Sequence, residues 1–370
     1  MRIGFLTTYF YPVAGGAENN CFYLAKELSK KHEVHIFTSD RKDSKIFPKE
    51  ETIHNLNIHR FRTIFRYRYY LALYPGIINA IRKADLDILH VHSLGFMMHD
   101  IAVLLKKLKS KTKLAITPHG PFMALDNYGL HARILRKAAT ILEYPFNKLY
   151  DAVIQVNPYQ EAWLPKLGFK KSRIHFIPNG IPKEAFKQAP QLKKYKNRVV
   201  ITYLGRIQEY KGLDQVVKIL PDFPQVLFIA MGEDSGDKKR LQELAKQLKV
   251  EQQVIFTGKV SEKEKLQYLD ASEIFILPSK WEAFGIGILE AMARGNAIIS
   301  TKTEGGRFLV KKENGFTYEF GNIKEIKTYI NQMIRNRSLR EMMQEKNKRM
   351  ARKFLWHKIS GKLERLYTSL

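Results

Sequence analysis

The feature that most constrains the fold of this chain is an alternation of short apolar runs with helix-like segments, which occurs twice along its 370 residues. Near-continuous apolar strands separated by helices are typical of a parallel sheet covered on both faces. The first pass predicts strands at Ile3–Phe10, Glu33–Asp40, Ile58–Thr63, Ile88–Ser93, Lys113–Gly120, Asp151–Asn157 and Ile174–Gly180, and helices at Gly16–Lys31, Phe96–Lys109 and His131–Tyr150.

The alternation is interrupted once and then resumes. The interruption, Ile181–Asn197, lacks periodicity, contains Pro182 and Pro190 and is interpreted as a linker. Beyond it, we predict strands at Val199–Gly205, Val226–Gly232, Gln253–Thr257, Glu273–Ser279 and Ala297–Thr301, with helices at Gly212–Leu220, Asp237–Leu248, Glu262–Ala271 and Ile286–Arg294.

The predicted fold class is therefore α/β, with two Rossmann-like, doubly wound parallel-sheet domains whose strand ends would face each other across a cleft. The predicted domains are residues 1–183 and 184–350. A C-terminal helical segment, 351–370, follows them. The polar helices after Lys324 either cap the second domain or cross back to the first.

Composition limits the compartments and partners that we expect for the protein. The single cysteine, Cys21, excludes an internal disulfide, and we expect it to be a small core residue. No apolar run reaches the roughly 18–20 residues that a membrane-spanning helix needs. The start, "MRIGFLTTYF", is typical of a first strand and lacks a signal-peptide pattern, so we expect a cytosolic protein. The formal charge of +27 favours a polyanionic partner: nucleic acid, an anionic membrane or phosphorylated small molecules.

Loops at four predicted strand ends contain residues that a plain crossover does not need, and ligands of open α/β sheets bind at such ends. Gly15 and Gly16 begin a helix, where backbone can approach an anion, although a Gly pair also suits a tight turn. His119 in "TPHG" is either a ligand contact or structural. Arg206 and Lys211 share the loop "GRIQEYKG", where two cations suit a diphosphate and also an ordinary solvated surface.

The fourth loop opens the segment "KWEAFGIGILEAMARGNAIIST". Backbone N–H groups of Phe284, Gly285 and Ile286 would lie at a helix start, where the helix dipole favours an anion. Glu282 would precede the helix, free to accept hydrogen bonds from sugar hydroxyls. Glu290, about one turn inside the helix, could bind a cis-diol such as ribose. The joint placement of the two glutamates indicates a binding site.

These motifs resemble the retaining GT-B glycosyltransferases of family 4. Glu282 and Glu290 match the E-x7-E pattern of that family, and "GRIQEYKG" is similar to its Arg/Lys diphosphate clamp. "GGAEN", "DILHVHS" and "TPHG" are similar to motifs of its first domain. The motifs occur in the family's order, and the resemblance extends from Met1 to about Met350.

The resemblance implies a role for each matching residue. Arg206 and Lys211 would neutralise the donor diphosphate, and the amides of Phe284, Gly285, Ile286 and Gly287 would hold its distal phosphate. Glu290 would bind the ribose, while Glu282 and His119 would contact the donor sugar. Gly16 would help to seat the phosphate from the first domain, and Val260 would line the nucleobase pocket.

The resemblance also implies the chemistry. The substrate would be a nucleotide-diphosphate sugar, with no cofactor and no catalytic metal, and the acceptor would attack on the leaving-group face. That mechanism needs no pair of carboxylates flanking the bond, unlike a glycosidase. "ADLDILH" contains Asp85 and Asp87 in the D-x-D spacing of a metal motif of another glycosyltransferase fold. It precedes a strand, so we interpret it as a helix end and strand start.

The acceptor side is predicted to be the first domain. "RFRTIFRYRYYLALYP" contains Arg60, Arg62, Arg66 and Arg68 among aromatic residues and no acid, which favours an anionic membrane surface or an ordinary basic face. We therefore expect a glycan or lipid-linked acceptor at the inner face of the cell membrane. The alternatives are a soluble carbohydrate synthase of the same fold, a non-catalytic nucleotide-sugar binder and a nucleic-acid-binding protein; no nucleic-acid motif is present.

Overall fold

The computed structural model of the protein describes residues 1–13, 15–42, 44–67, 71–120, 130–189, 195 and 197–370. The chain forms two compact units: Met1–Gly180 with Trp356–Leu370, and Ile181–Leu355. The division falls at 180 and not at 183, because the Ile181 N–H donates to the Phe354 carbonyl at 2.8 Å and joins the linker to the second unit. Positions 190–194 and 196 of the predicted linker lie outside the described residues.

The first unit contains an eight-stranded sheet and two small two-stranded sheets, β3-β4 and β7-β8. Its strands are β1 (Arg2–Leu6), β2 (Glu33–Ser39), β3 (Arg41–Lys42), β4 (Lys45–Ile46), β5 (Glu50–Ile53), β6 (Leu56–Phe61), β7 (Phe65–Tyr67), β8 (Leu71–Leu73), β9 (Ile88–His92), β10 (Lys113–Thr117), β11 (Ala152–Gln155) and β12 (Ile174–Phe176). The sheet order is β12-β11-β10-β9-β1-β2-β6-β5. All neighbours are parallel except β5 and β6.

Helices cover both faces of this sheet, as the apolar strands require. They include α1 (Gly16–Leu28), α2 (Gly76–Lys83), α3 (Met97–Lys109) and α4 (Leu130–Asn147). One core contains side chains of α1 with β1 and β2, including Cys21, which is fully buried as predicted. The other contains side chains of α2 and α3 with β9 and β10.

The second unit is a six-stranded, wholly parallel sheet. Its strands are β13 (Val199–Leu204), β14 (Val226–Met231), β15 (Val254–Gly258), β16 (Ile274–Leu277), β17 (Ala297–Thr301) and β18 (Gly315–Tyr318). Its helices are α5 (Leu213–Val217), α6 (Lys238–Gln247), α7 (Glu262–Asp270), α8 (Ile286–Arg294), α9 (Glu304–Leu309), α10 (Ile323–Arg335) and α11 (Arg337–Ala351).

The strand order of the second unit, β15-β14-β13-β16-β17-β18, fixes where a ligand can bind. It reverses between β13 and β16, and the crevice at such a reversal is the usual ligand site of a doubly wound sheet. The α/β class with two doubly wound sheets is confirmed. Strands β5 and β18 and the two small two-stranded sheets were not predicted, because runs of two to four residues give too little periodicity.

The last helix, α12 (Trp356–Ser369), belongs to the first unit. It packs on α1, where the rings of Tyr23 and Trp356 stack at 5.6 Å. The Tyr367 hydroxyl lies 2.5 Å from Nδ1 of the buried His90 in β9. A polar contact inside the core therefore fixes the end of the chain to the first sheet.

The Asp85–Asp87 segment lies between the end of α2 and the start of β9. Asp85 pairs with the Arg2 guanidinium, and Asp87 accepts from the Arg2 backbone N–H at 2.7 Å. Its position agrees with the predicted helix end and strand start. Among the described residues, no helix has the length and apolar character needed to cross a membrane.

Candidate functional site

The strand-order reversal brings two loops of the second unit together. The loop after β13 contains Arg206 and Lys211, and the loop after β16 leads into α8. The Lys280 N–H donates to the Tyr210 carbonyl at 2.8 Å, and Gln215 Nε2 donates to the Pro278 carbonyl at 3.0 Å. We call this region, 205–212 with 279–290, the switch-point site.

Gly285 allows the chain to enter α8 at this site. Its φ of 83° lies in the left-handed region, and a Cβ there would lie 3.0 Å from Cδ1 of Ile288. Gly287 lies against the end of β13, since a Cβ on it would be 3.0 Å from the Leu204 carbonyl oxygen. The first turn of α8 thus abuts the β13 loop, with its N-terminal amides at the strand-order reversal.

Phe284 has a structural side chain. It is buried, and its ring contacts the rings of Phe308 and Phe354. Gly305, at the start of α9, packs on the Phe284 backbone so closely that a Cβ could not fit, and its N–H donates to the Glu282 carbonyl at 3.0 Å. The predicted role of Phe284 therefore concerns its backbone amide alone.

Lys211 and Glu282 form an ion pair between the two loops. The Lys211 Nζ donates to Oε2 of Glu282 at 2.7 Å, and the side chains are 12% and 20% exposed. Burial alone would lower the pKa of Lys211, but the Glu282 carboxylate raises it above its ordinary value. The sequence places both residues at the site, but the structure shows Glu282 already paired, where we expected a free acceptor.

Arg206, in the same loop as Lys211, is exposed. Its Nη2 lies 3.4 Å from the Tyr210 hydroxyl, and its carbonyl accepts from the Tyr203 hydroxyl at 2.8 Å. The loops after β13 and β14 approach so closely that a Cβ on Gly232 would overlap the Gly205 carbonyl oxygen. The close packing of the two loops therefore fixes the backbone position from which the Arg206 side chain extends.

Glu290 lies in α8 and also has a lysine partner. Oε1 of Glu290 accepts from Nζ of Lys265 at 2.6 Å, and Lys265 pairs with Glu262 at 2.8 Å as well. Lys265 is in α7, whose start is fixed by the capping box of Ser261 and Glu264. Val260, partly buried, directly precedes this cap. Sequence reasoning missed Lys265, because the contact joins two different helices.

Two polar side chains of the loop after β16 have no partner in the described part of the chain. They are the buried hydroxyl of Ser279 and the indole N–H of Trp281. Buried polar groups in native proteins are ordinarily hydrogen-bonded, so two without a partner at one site are unusual. A polar ligand at the switch-point site would supply one.

In the first unit, His119 follows β10. Its φ is 58°, and its Nε2 lies 3.1 Å from Nδ1 of His92, the last residue of β9. Burial lowers the pKa of His119 to about 3, so the imidazole is neutral near pH 7. A neutral imidazole can donate or accept a hydrogen bond but brings no charge to a ligand.

Gly16 is the exposed first residue of α1, which is capped by Gly15 in an extended conformation. A Cβ on Gly15 would clash with the carboxylate of Glu18, which lies in the first turn. Among the described residues there is no group of three or more His, Cys, Asp or Glu side chains that could hold a metal ion.

The structure corrects the predicted membrane patch. Arg60 was expected on the surface, but it is 2% exposed. It pairs with Glu51 at 2.6 Å and donates to the carbonyls of Pro48 and Tyr11. Arg60 cannot contact a membrane, because its guanidinium is buried and is hydrogen-bonded to segments that neighbour β6.

The other members of that patch differ from one another. Arg62 is exposed, and Arg66 lies over the ring of Tyr9 at 5.6 Å. Arg68 lies outside the described residues. The neighbouring Ile64 and Phe65 are 64% and 50% exposed, so an apolar surface accompanies Arg62.

Helix α4 has an exposed apolar surface that the sequence analysis did not identify. Ile134, Ile141 and Leu142 are 57%, 64% and 70% exposed; Lys137 in the helix and Lys148 directly after it are exposed as well. We call these five residues the α4 face. Exposed apolar side chains grouped on one element are a feature of surfaces that interact with a partner or a membrane.

Two family models match the chain. The model described as Glycosyl transferases group 1 matches residues 184–350, and the model described as Glycosyltransferase Family 4 matches residues 14–185. Together they span residues 14–350. The phosphatidylinositol N-acetylglucosaminyltransferase gpi3 subunit of Schizosaccharomyces pombe is 23% identical over 383 aligned residues, which cover 99% of this chain and 80% of that protein.

Two solved structures have similar folds. The sucrose-phosphate synthase of Thermosynechococcus elongatus superposes with a TM-score of 0.83 at 18% identity, covering 100% of this chain and 98% of the other. Anabaena HepE in complex with UDP-glucose superposes with a TM-score of 0.79 at 20% identity over the whole of both chains. At these identities, the likeness establishes the fold alone.

Proposed function

This chain belongs to the GT-B glycosyltransferases of family 4 type, and we propose that it transfers a hexose-type sugar from a nucleotide-diphosphate sugar to a glycan or lipid-linked acceptor. The observation that carries the proposal is the Lys211–Glu282 pair at the β13–β16 reversal, beside the first turn of α8. Cation, carboxylate and helix N-terminus together provide complementary partners for a diphosphate and a sugar.

The donor diphosphate would bind Arg206, Lys211 and the amides of 284–287. These positions surround the strand-order reversal, where doubly wound sheets bind nucleotides. A bound diphosphate would compete with Glu282 for Lys211 and so release the carboxylate toward the donor sugar. The UDP-glucose named in the HepE complex supports a nucleotide-sugar donor of the UDP or GDP class.

The remaining donor contacts follow the family motifs. Glu290 would bind the ribose hydroxyls, and Val260 would line the nucleobase pocket. Gly16 would seat the phosphate from the first unit, and His119 would contact the sugar. The neutral imidazole of His119 suits a hydrogen bond to a hydroxyl better than an ionic contact.

The proposed chemistry follows from charge. Breaking the bond between the anomeric carbon and the phosphate builds negative charge on the diphosphate and positive charge on the sugar ring. Preorganised cations and helix amides stabilise the leaving group most as it departs. We propose transfer with retention, in which a phosphate oxygen takes the acceptor proton, and we propose that neither a catalytic metal nor a cofactor takes part.

The acceptor is proposed to lie at a membrane. The first unit contains two exposed surfaces that combine apolar and basic side chains: the α4 face, and Ile64–Phe65 with Arg62. Together with the formal charge of +27, they favour contact with anionic lipid. The name of the Schizosaccharomyces pombe relative, which includes phosphatidylinositol, supports a lipid-linked acceptor. We therefore propose a cytoplasmic enzyme held peripherally at the inner face of the cell membrane.

A soluble carbohydrate synthase is the second candidate, because the fold is similar to that of a sucrose-phosphate synthase. Such an enzyme would not need the α4 face. A nucleic-acid-binding role has only the net charge in its support.

A donor-hydrolysis screen tests the proposed function. Purified protein is incubated with UDP-, GDP- and ADP-sugars in EDTA, and the released nucleoside diphosphate is measured. We expect slow release from one UDP- or GDP-hexose, and release slower by about a hundredfold or more from a Lys211→Ala variant. Binding of no nucleotide sugar by calorimetry would overturn the donor assignment, and a strict need for Mg²⁺ or Mn²⁺ would overturn metal independence.

A further inference from the structure

Lys265 contacts one of the two family glutamates but belongs to none of the sequence motifs. Its side chain is 11% exposed and lies between two carboxylates, Glu290 of α8 at 2.6 Å and Glu262 of its own helix at 2.8 Å. Glu290 is itself only 16% exposed. The Lys265–Glu290 pair is therefore partly desolvated. An ion pair is stronger in such surroundings than on an open surface, so the positions of the two side chains are better fixed.

The charge state of Lys265 suits this position. Burial alone would lower its pKa, but Glu290 and Glu262 raise it above the ordinary value. Lys265 therefore remains a cation beside the Glu290 side chain. Since Lys265 donates to Oε1 of Glu290, Oε2 can accept from a second donor.

We propose that Lys265 is a positioning residue that orients Glu290 toward the ribose hydroxyls and thereby makes the enzyme select ribonucleotide over 2′-deoxyribonucleotide donors. The inference rests on the proposed ribose contact of Glu290. Without the lysine, Glu290 would be a partly buried charge with no cation beside it. Its side chain would then turn toward solvent and no longer point its free oxygen at the diol.

Selectivity measured by binding separates this role from mere structural support. A hydrogen bond between a hydroxyl and a carboxylate contributes about tenfold or more in affinity, so the wild type should bind the ribonucleotide at least about tenfold more tightly than its 2′-deoxy form. Lys265→Met should bind the two within about twofold of each other. Lys265→Arg, which keeps the cation, should keep the preference.

Glu262→Gln is the matched control, because it removes the other partner of Lys265 and leaves the contact with Glu290 in place. It should also retain the preference for ribose. If Lys265→Met fails to fold, the double variant Lys265→Met/Glu262→Gln is used in its place. In this double variant only Glu290, and not Glu262 as well, has lost its lysine partner. Thermal melting establishes which variant is folded.

The experiment is calorimetry with UDP, GDP and ADP, followed by the 2′-deoxy form of whichever binds the wild type most tightly. Loss of the ribose preference in Lys265→Met alone supports the inference. A wild-type preference that persists in folded Lys265→Met, or a wild type with no preference, overturns it while leaving the donor proposal standing. Binding of no nucleoside diphosphate by the wild type overturns both.

Discussion

Nζ of Lys211 lies 2.7 Å from Oε2 of Glu282, although 71 positions separate the two residues in the chain. The pair joins the loop after β13 to the loop after β16, and both side chains are mostly buried. In the proposed function, each partner binds a different part of the donor, the diphosphate and the sugar. The ion pair therefore holds the lysine and the glutamate together at the strand-order reversal, where the proposed donor would bind.

Removing either cation of the proposed diphosphate clamp should slow turnover. We expect Arg206→Ala or Lys211→Ala to lower kcat by about a hundredfold or more, as for the loss of one oxyanion donor, and to weaken donor binding in calorimetry. Lys218→Ala is the matched control, since Lys218 is an exposed lysine of the same unit paired with Asp214. Near-normal activity of both clamp variants would remove the assignment.

The two glutamates should give different kinetic signatures. Glu290→Ala should mainly raise the apparent KM for the donor, because a ribose contact acts in the ground state and the transition state alike. Glu282→Gln should mainly lower kcat, because the proposed contact faces the carbon where charge develops. Steady-state kinetics with varied donor measures both, and identical signatures would contradict the separation of roles.

A side chain at Gly285 should destabilise the protein. Gly285→Ala places a Cβ on a residue with φ of 83°, which costs about 1–2 kcal/mol, and should lower the melting temperature and the activity together. Gly361→Ala is the control, because Gly361 lies inside α12 and its nearest neighbour to a new Cβ is 3.8 Å away. There alanine should add about 0.5–1 kcal/mol of stability. Equal melting temperatures of the two variants would count against the strained entry into α8.

Acidification should destabilise the first unit. Burial lowers the pKa of His90, His99 and His119 to about 3, and it lowers that of His92 well below its ordinary value. Their contribution is complete above about pH 6.5 and is lost as the pH falls toward 3, because the unfolded chain binds the protons first.

Two carboxyls oppose this effect, since burial raises the pKa of Asp100 to about 7 and that of Glu143 to about 8. Four histidines outnumber two acids, so the melting temperature should fall between pH 6.5 and 5. In His119→Asn, whose asparagine tolerates the positive φ, the fall should be smaller. An equal fall in both proteins would mean that His119 does not titrate as described.

Membrane binding should depend on the α4 face and not on Arg60. Ile141→Ser/Leu142→Ser should reduce sedimentation with vesicles containing anionic lipid. Lys137→Ser/Lys148→Ser should weaken the binding free energy by about 1 kcal/mol for each charge removed. Met342→Ser is the control, since Met342 is an exposed apolar side chain of the second unit. Added salt should weaken wild-type binding, because it screens the attraction.

The same assay separates the rival functions. A wild type that stays in the supernatant at low salt favours a soluble acceptor, and one that retards duplex or single strands in a gel while ignoring vesicles favours nucleic acid. Arg60→Ser should lower the melting temperature instead, because it leaves Glu51 and two backbone carbonyls without their donor.

Local patterns determined the elements of the site before any tertiary contact was known. Apolar runs bounded by helices predicted nearly all strands of both sheets, and the spacing of Glu282 and Glu290 followed from one loop and one helix turn. Gly285, with its positive φ, and the helix start behind it are likewise local features. These signals persist in the sequence because each depends on neighbours a few residues away.

Tertiary structure alone decided which of these residues meet. The strand order that sets the reversal between β13 and β16, the pairing of Lys265 with Glu290 and the return of α12 to the first sheet all join distant parts of the chain. Arg60 shows the limit most clearly: in sequence it belongs to a basic, aromatic segment, yet pairing with Glu51 buries it. Strand register and burial determine which distant residues meet, and the periodicity of one segment carries no information about either.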